Sequence, residues 1–350
     1  MNMRKTALGG LFASGLFLTL AQSAGSQPNA PLIEFNYGFP TADYITLYVA
    51  QDLGLFEKAG LKPKFFTFQS GAPLLAGLKS ESLDVVTTGL ATMFALGQGI
   101  PLKFLFWEVD DAAGEGFVAD PKSGIQSFKD IGKAKKIAAP SGTCAQISLS
   151  LLAKKAGVDF SKLNVVNIAP PLYNNAFVSG SIDAGMAWAP YSMALNAAGY
   201  PVVNWDEEYV PDGGICPVLT AIRPSFLEKN PSVALKLVEV HALAAEALAK
   251  DPQLGVYALS KHLGISEAVA KANYERSCCG RKPTLDQQVD PNSQYSLTSK
   301  DGGLAKKLFV AGQILHEVGS IPNEIPMKTI QDAIDPSYVQ QYVKSHADHK

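Results

Sequence analysis

The chain has 350 residues, of which 47% are hydrophobic and 18% charged. That composition excludes a disordered chain, and a chain of this length divides into two domains or lobes instead of one core. The net charge is −2 and no Lys/Arg run forms a basic stripe, so nothing points to a nucleic-acid partner.

Arg4 and Lys5 precede an apolar run from Ala7 to about Ala21, and Ser23, Ala24 and Gly25 follow it. A positive start, an apolar stretch and small residues make a secretory signal, expected over residues 1–24 with cleavage between Ala21 and Gly25. The run is shorter than the ~20 residues that a membrane span needs. Losing Arg4 and Lys5 with the signal takes the net charge to −4. The signal has no cysteine to carry a lipid, the first being Cys144, so the mature protein is expected free in the periplasm.

After the signal, Leu32 to Gly38 reads as a strand, and Thr41 to Lys58 has the 3.6-residue period of one helix, stopped by Gly60. Strands follow at Lys64 to Phe68, Leu83 to Val86 and Leu102 to Trp107, with short helices at Leu74 to Leu78 and Ala91 to Leu96 between them. A second alternating run has strands at Gly116 to Ala119, Lys136 to Ala139, Leu163 to Ile168, Asp183 to Ala187 and Val202 to Val203. Its helices run over Thr143 to Ala156, Tyr173 to Ser179 and Tyr191 to Ala198, with Pro190 read as the opening residue of the last. After a strand at Val218 to Ile222 the chain turns helical, with segments near Val233 to Ala249, Leu254 to Leu263, Glu267 to Glu275, Leu304 to Val318 and Ile330 to Tyr342.

Alternation of this kind defines an α/β fold: two parallel-type sheets flanked by helices, with a helical C-terminal segment. No linker separates the two runs, so the lobes are expected to be joined by two crossings, near Phe104 to Gly116 and near Asp206 to Ile222. The expected division is residues 31–110 in lobe 1, 111–215 in lobe 2, and 216–345 returning to lobe 1. A cleft between them is the natural ligand site.

Ligands of open α/β sheets bind where strands end and helices begin. Four such junctions carry small or hydroxylated residues: Ser70-Gly71, Thr88-Gly89, Ser141-Gly142-Thr143 and Trp188-Ala189-Pro190. The first turn of a helix has backbone N–H groups without intrahelical partners and a partial positive charge, which together hold an anion. Thr143 and Gln146 have the spacing of a capping box, so Thr143 serves as a helix cap, a ligand contact or both. Phe39 and Thr41 beyond the first strand, and Cys144 and Cys216, complete the candidate set. Trp188 divides between ligand contact and packing; Trp107 has the same ambiguity.

Cys144, Cys216, Cys278 and Cys279 are too few to frame a fold of this size. Their pairing stays open, and buried thiols are the plainer expectation. No Gly-x-Ser-x-Gly, Gly-x-x-x-x-Gly-Lys or His-Glu-x-x-His motif is present, and all five histidines lie in the C-terminal third, His346 and His349 at its end. No catalytic residue, cofactor or metal is expected.

The run Ala50-Gln-Asp-Leu-Gly-Leu-Phe-Glu-Lys-Ala-Gly-Leu61 resembles the first helix of the solute-binding proteins for nitrate, sulfonates and taurine. So do Ser70-Gly71-Ala72, the segments Ser82 to Gly89, Ser127 to Pro140 and Gly180 to Pro190, and their order from about Pro31 to Tyr342. Val166 to Pro171 followed by Trp188-Ala189-Pro190 is most similar to the taurine-binding branch. The resemblance implies a two-lobed periplasmic binding protein, a monomer, that holds a small anionic solute and hands it to an inner-membrane ABC permease. An organosulfonate such as taurine is the first expectation; nitrate, an organic or aromatic acid and a pyrimidine are alternatives. A thiamine-pyrimidine synthase-like enzyme is a remote one, since this chain has a signal and lacks that family's cysteine-rich motif. In the taurine-type pattern an acidic residue follows the returning proline. Here Pro217 is followed by Val218, Leu219 and Thr220, with Asp110, Asp111 and Glu115 at the other crossing as substitutes.

Overall fold

The computed structural model describes residues 31–208, 216–278 and 282–347. The expected signal, Cys279 and His349 lie outside the described residues. The compact unit begins at Leu32.

Lobe 1 opens with β1 (Ile33–Pro40), α1 (Ile45–Asp52), α2 (Leu55–Lys58), β2 (Leu61–Phe68), α3 (Ala72–Lys79), β3 (Val85–Thr88), α4 (Ala91–Gly97) and β4 (Lys103–Asp110). The helix expected from Thr41 to Lys58 is two helices. Gly54 adopts a left-handed conformation, φ +62°, and turns the chain between them. Lobe 2 follows with β5 (Gly116–Ala119), β6 (Ile137–Ala138), α5 (Cys144–Lys155), β7 (Val165–Val166), α6 (Tyr173–Val178), β8 (Ala184–Ala187), α7 (Tyr191–Ala197) and β9 (Val202–Trp205). The chain then returns through β10 (Pro217–Ile222) to α8 (Pro224–Lys229), α9 (Ser232–Lys250), α10 (Gln253–Leu263), α11 (Glu267–Asn273), α12 (Leu285–Val289), α13 (Gly303–Glu317), α14 (Met327–Ala333) and α15 (Ser337–His346). The single helix expected from Ile330 to Tyr342 is α14 and α15, because Pro336 cannot continue a helix begun before it.

The first sheet has the order β2-β1-β3-β10-β4, the second β7-β6-β8-β5-β9. Both are mixed. β1 runs parallel to β2 and β3, but the returning β10 enters antiparallel between β3 and β4. β5 likewise runs antiparallel to β8 and β9. The parallel cores come from strand–helix–strand crossovers. The antiparallel strands are those flanking the two crossings between lobes, which local alternation does not distinguish.

Burial fixes these positions. Tyr37, Phe39, Phe56 and Phe65 pack edge-on or tilted within one aromatic cluster under α1, so Phe39, a candidate ligand contact, is a core residue. Beneath it the Tyr37 hydroxyl meets Thr87 Oγ1 at 2.7 Å, and Thr87 meets Thr220 Oγ1 at 2.7 Å, pinning β10 to β3. Trp107 is fully buried in β4, and its backbone N–H donates to Gln288 Oε1 at 2.9 Å, which fastens α12 to the strand. Glu108 and His241 form a buried pair at 3.0 Å that ties α9 to β4. Burial alone would raise the Glu108 carboxyl, but the adjacent His241 ring holds it below its usual value.

Candidate functional site

A small pocket of about 30 Å³, room for one or two waters, lies between the lobes, so a solute enters only as the lobes part. Lobe 1 contributes Gly71 at the start of α3, Thr88 at the end of β3, and Gly89, Leu90 and Ala91 at the start of α4. Lobe 2 contributes Thr143 and Cys144 at the start of α5, and Trp188 beyond β8. Three helices thus begin at one cavity, and a helix start carries partial positive charge and N–H groups outside the i→i−4 ladder, although Pro73 leaves α3 without a donor at its second residue.

The cleft is closed by contacts between the lobes. Trp188 Nε1 donates to the Thr41 carbonyl at 3.1 Å, and Gln146 Nε2 donates to Ser320 Oγ at 2.6 Å. At the hinge, the Arg276 guanidinium stacks 3.5 Å over the Trp205 ring and donates to the Ala113 carbonyl and to Glu207, each at 2.8 Å.

The Thr143–Gln146 capping box does not form. Thr143 Oγ1 donates instead to the Pro140 carbonyl at 2.7 Å. The Gln146 carbonyl oxygen accepts from Gly142 N at 3.0 Å while its amide reaches Ser320, so interlobe contact wins over the local cap. Gly142 is left-handed, φ +78°, with the Phe94 ring 3.5 Å from where a Cβ would stand. It shapes the turn into α5 without lining the pocket. Ser70, Thr41, Ser141 and Pro190 are also outside the lining; Thr41 acts through its carbonyl, and Ser141 N is taken by Asn167 Oδ1 at 3.0 Å. Pro190 is the residue before α7, not its first residue, and follows a cis peptide bond. The lining brings together Gly71, Thr88, Gly89, Thr143, Cys144, Trp188 and Cys216 from the candidates.

Cys144 and Cys216 form a disulfide, where buried thiols were the expectation. The Glu115 carboxylate lies within 4.8 Å of both sulfurs, but sulfurs bonded to each other offer no thiolate to a metal.

The hinge wall is acidic. Asp111 lines the pocket and is buried; its Oδ1 has no hydrogen-bond partner. Glu115 and Asp206, both fully buried, have none on either carboxylate oxygen. Burial raises the Asp111 carboxyl well above its usual value, and Asp43, Glu115, Asp110 and Asp206 add to it. Glu115 is raised well above its usual value by burial and by Asp206. Asp206 is pushed up to about 7 by burial; the Ser148 hydroxyl opposes the shift without reaching hydrogen-bond geometry.

Missed by the sequence reading are Pro40, Ala42, Tyr44, Leu90, Ala91 and Val218. An aromatic residue directly before a helix was a usable signal for Tyr44. Val218 needed the position of the returning strand.

Two five-stranded α/β lobes with a helix-rimmed pocket between them define a two-lobed periplasmic-binding fold. The NMT1/THI5-like family matches residues 41–254, and the chain belongs to that family. Over 202 residues it is 30% identical to a Bacillus subtilis (strain 168) protein named for aliphatic sulfonates, covering 55% of this chain and 59% of that one. Over 189 residues it is 30% identical to the taurine-binding periplasmic protein of Escherichia coli (strain K12), covering 53% of this chain and 57% of that one. The chain thus spans less than two thirds of either relative. Among solved structures it shares its fold with the alkanesulfonate-binding protein SsuA of Xanthomonas axonopodis pv. citri bound to MOPS. That match has a TM-score of 0.72 at 20% identity and covers 87% of this chain and 99% of the other.

Proposed function

We propose that the protein is the periplasmic solute-binding component of an ABC importer, and that its ligand is a small aminosulfonate such as taurine. The observation that carries this reading is the pairing, in one pocket, of three helix starts with a single buried carboxylate, Asp111. Helix starts suit a sulfonate, which accepts several hydrogen bonds and stays ionised. Asp111 lacks a partner on Oδ1 and stands among other acids. An ammonium group would supply that partner and pull the carboxyl toward its ionised form. Asp111 therefore takes the place of the acidic residue absent after Pro217. The names of the two curated relatives agree with a sulfonate ligand.

In this reading residues 31–110 and 216–345 form lobe 1 and residues 111–215 lobe 2, a division supported by the two sheets. The signal over residues 1–24 directs export, and the mature monomer delivers its solute to an inner-membrane permease. Among the described residues no helix is long and apolar enough to cross a membrane. Calorimetric titration of the mature protein with taurine, alkanesulfonates, nitrate and simple carboxylates tests the ligand class. Taurine should bind tightest. Preference for nitrate or a carboxylate over every sulfonate would refute it.

A further inference from the structure

Cys144 is the first residue of α5, whose start forms the lobe 2 side of the pocket. Cys216 immediately precedes β10, whose Pro217 pairs with Asp110 at the end of β4, and its carbonyl accepts from Asp111 N at 3.0 Å. The disulfide therefore runs from a helix of one lobe to the lobe 1 end of the crossing, between residues 72 apart in sequence. Their Cα atoms are 5.5 Å apart. A disulfide admits Cα separations of only about 4.4–6.8 Å, so the start of α5 is held to within roughly 1 Å of its place beside β10 while the bond lasts.

That restraint matters because two-lobed proteins release ligand by rotating one lobe about the crossings. The hydrogen bonds Trp188–Thr41 and Gln146–Ser320 can be exchanged for water at small net cost. The disulfide cannot. We infer that the Cys144–Cys216 disulfide is a redox-released tether that keeps the first turn of α5 at the pocket when the cleft opens. Oxidised, lobe 2 pivots about the bond and the donors of α5 stay beside Gly89, whose position for a Cβ lies 2.8 Å from Cys144 Sγ. Reduced, α5 swings out with its lobe. Release requires a thiol reductant. Its thiolate attacks one sulfur and displaces the other as a thiolate; a second reductant thiolate then resolves the mixed disulfide. The two cysteines leave as thiols, each with one proton, and the reductant leaves as its own disulfide.

The test uses ligand-free mature protein, so its failure is separable from failure of the aminosulfonate reading. Peptide mapping of exported protein should recover Cys144 linked to Cys216. Small-angle scattering should give a larger radius for dithiothreitol-reduced wild type and for a Cys144→Ser/Cys216→Ser double variant than for oxidised wild type. Amide exchange over residues 144–148 should be about tenfold faster in both. The double variant leaves the remaining cysteines untouched, so a change seen on reduction but absent from the variant overturns the tether. So do equal radii and exchange rates in both redox forms, absence of the linked peptide, or unfolding of both reduced and variant proteins, which would make the bond a requirement of folding instead.

Discussion

On the rim of the pocket, Gly71, Leu90 and Thr143 stand at helix starts, and no charged side chain lines that rim. On the hinge wall, Asp111 faces the same cavity with Glu115 and Asp206 buried behind it, and their carboxylate oxygens include five without a hydrogen-bond partner. The rim offers positive potential from backbone that is already ordered, so a bound anion asks for no further charge from the protein. The wall holds carboxyl groups that burial keeps toward their neutral form, and unpartnered groups of this kind are costly. The rim is complete without ligand and the wall is not. A ligand with an anionic and a cationic end suits both.

The rim is most sharply broken at Gly89, where a Cβ would stand 2.8 Å from Cys144 Sγ and 3.6 Å from Cys216 Sγ. Gly89→Asp places a carboxylate at the start of α4, where the ligand's anion is expected. Calorimetry should show affinity for taurine falling by ~3 kcal/mol or more, the scale of an unpaired buried charge. Gly89→Ala, which brings the same Cβ against the disulfide without a charge, should lose much less affinity, separating repulsion from displacement.

The wall is tested by pH. The Asp206 carboxyl is raised in the folded protein to about 7 from an ordinary value of 3.8. Below the ordinary value both folded and unfolded chains carry the proton and no stability is lost. As pH rises toward 7 the unfolded chain ionises first, so the melting temperature should fall across that window and then level off. Asp206→Asn should remove this decline, on the order of 4 kcal/mol, and be more stable than wild type at pH 8 but not at pH 3. Parallel melting curves for the two proteins across this range would contradict the account of the wall.

Two smaller effects separate the rim's backbone from its side chains. Thr143→Ala removes the bond to the Pro140 carbonyl and should lower stability by ~1 kcal/mol, with affinity changed less, since the donors of α5 remain. Trp188→Phe removes the interlobe bond to the Thr41 carbonyl and should weaken binding by ~0.5–1 kcal/mol, through a less favourable closed state.

The rim was legible in sequence and the wall largely was not, for physical reasons. Gly71, Thr88-Gly89 and Thr143 follow strand patterns and precede helical ones, and backbone-based anion sites need small residues at those junctions. Gln146 had the spacing of a cap, but Gly142 N and Ser320 compete for its side chain across a cleft that local spacing does not encode. Asp111, Glu115 and Asp206 were visible as acids near the crossings. Their burial depends on lobe closure and on β9, which is paired to β5 through long-range contacts. The Cys144–Cys216 bond spans 72 residues, and only the returning strand brings its ends together. The break at Gly54 was hidden because apolar periodicity continues through it while the backbone does not.

In the proposed function Asp111 reads the ammonium of a ligand whose sulfonate sits on the helix starts. Calorimetric titration of taurine and ethanesulfonate, which differ by that ammonium, into wild type and Asp111→Asn tests it most directly. In wild type, taurine binding should release protons at pH values where the free Asp111 carboxyl, raised by burial and its acidic neighbours, still holds its proton, seen as a dependence of the heat on the buffer's ionisation enthalpy. Asp111→Asn should abolish that dependence and weaken taurine by ~1.5–3 kcal/mol while leaving ethanesulfonate nearly unchanged. Equal losses for both ligands, or taurine affinity unchanged in Asp111→Asn, would contradict it.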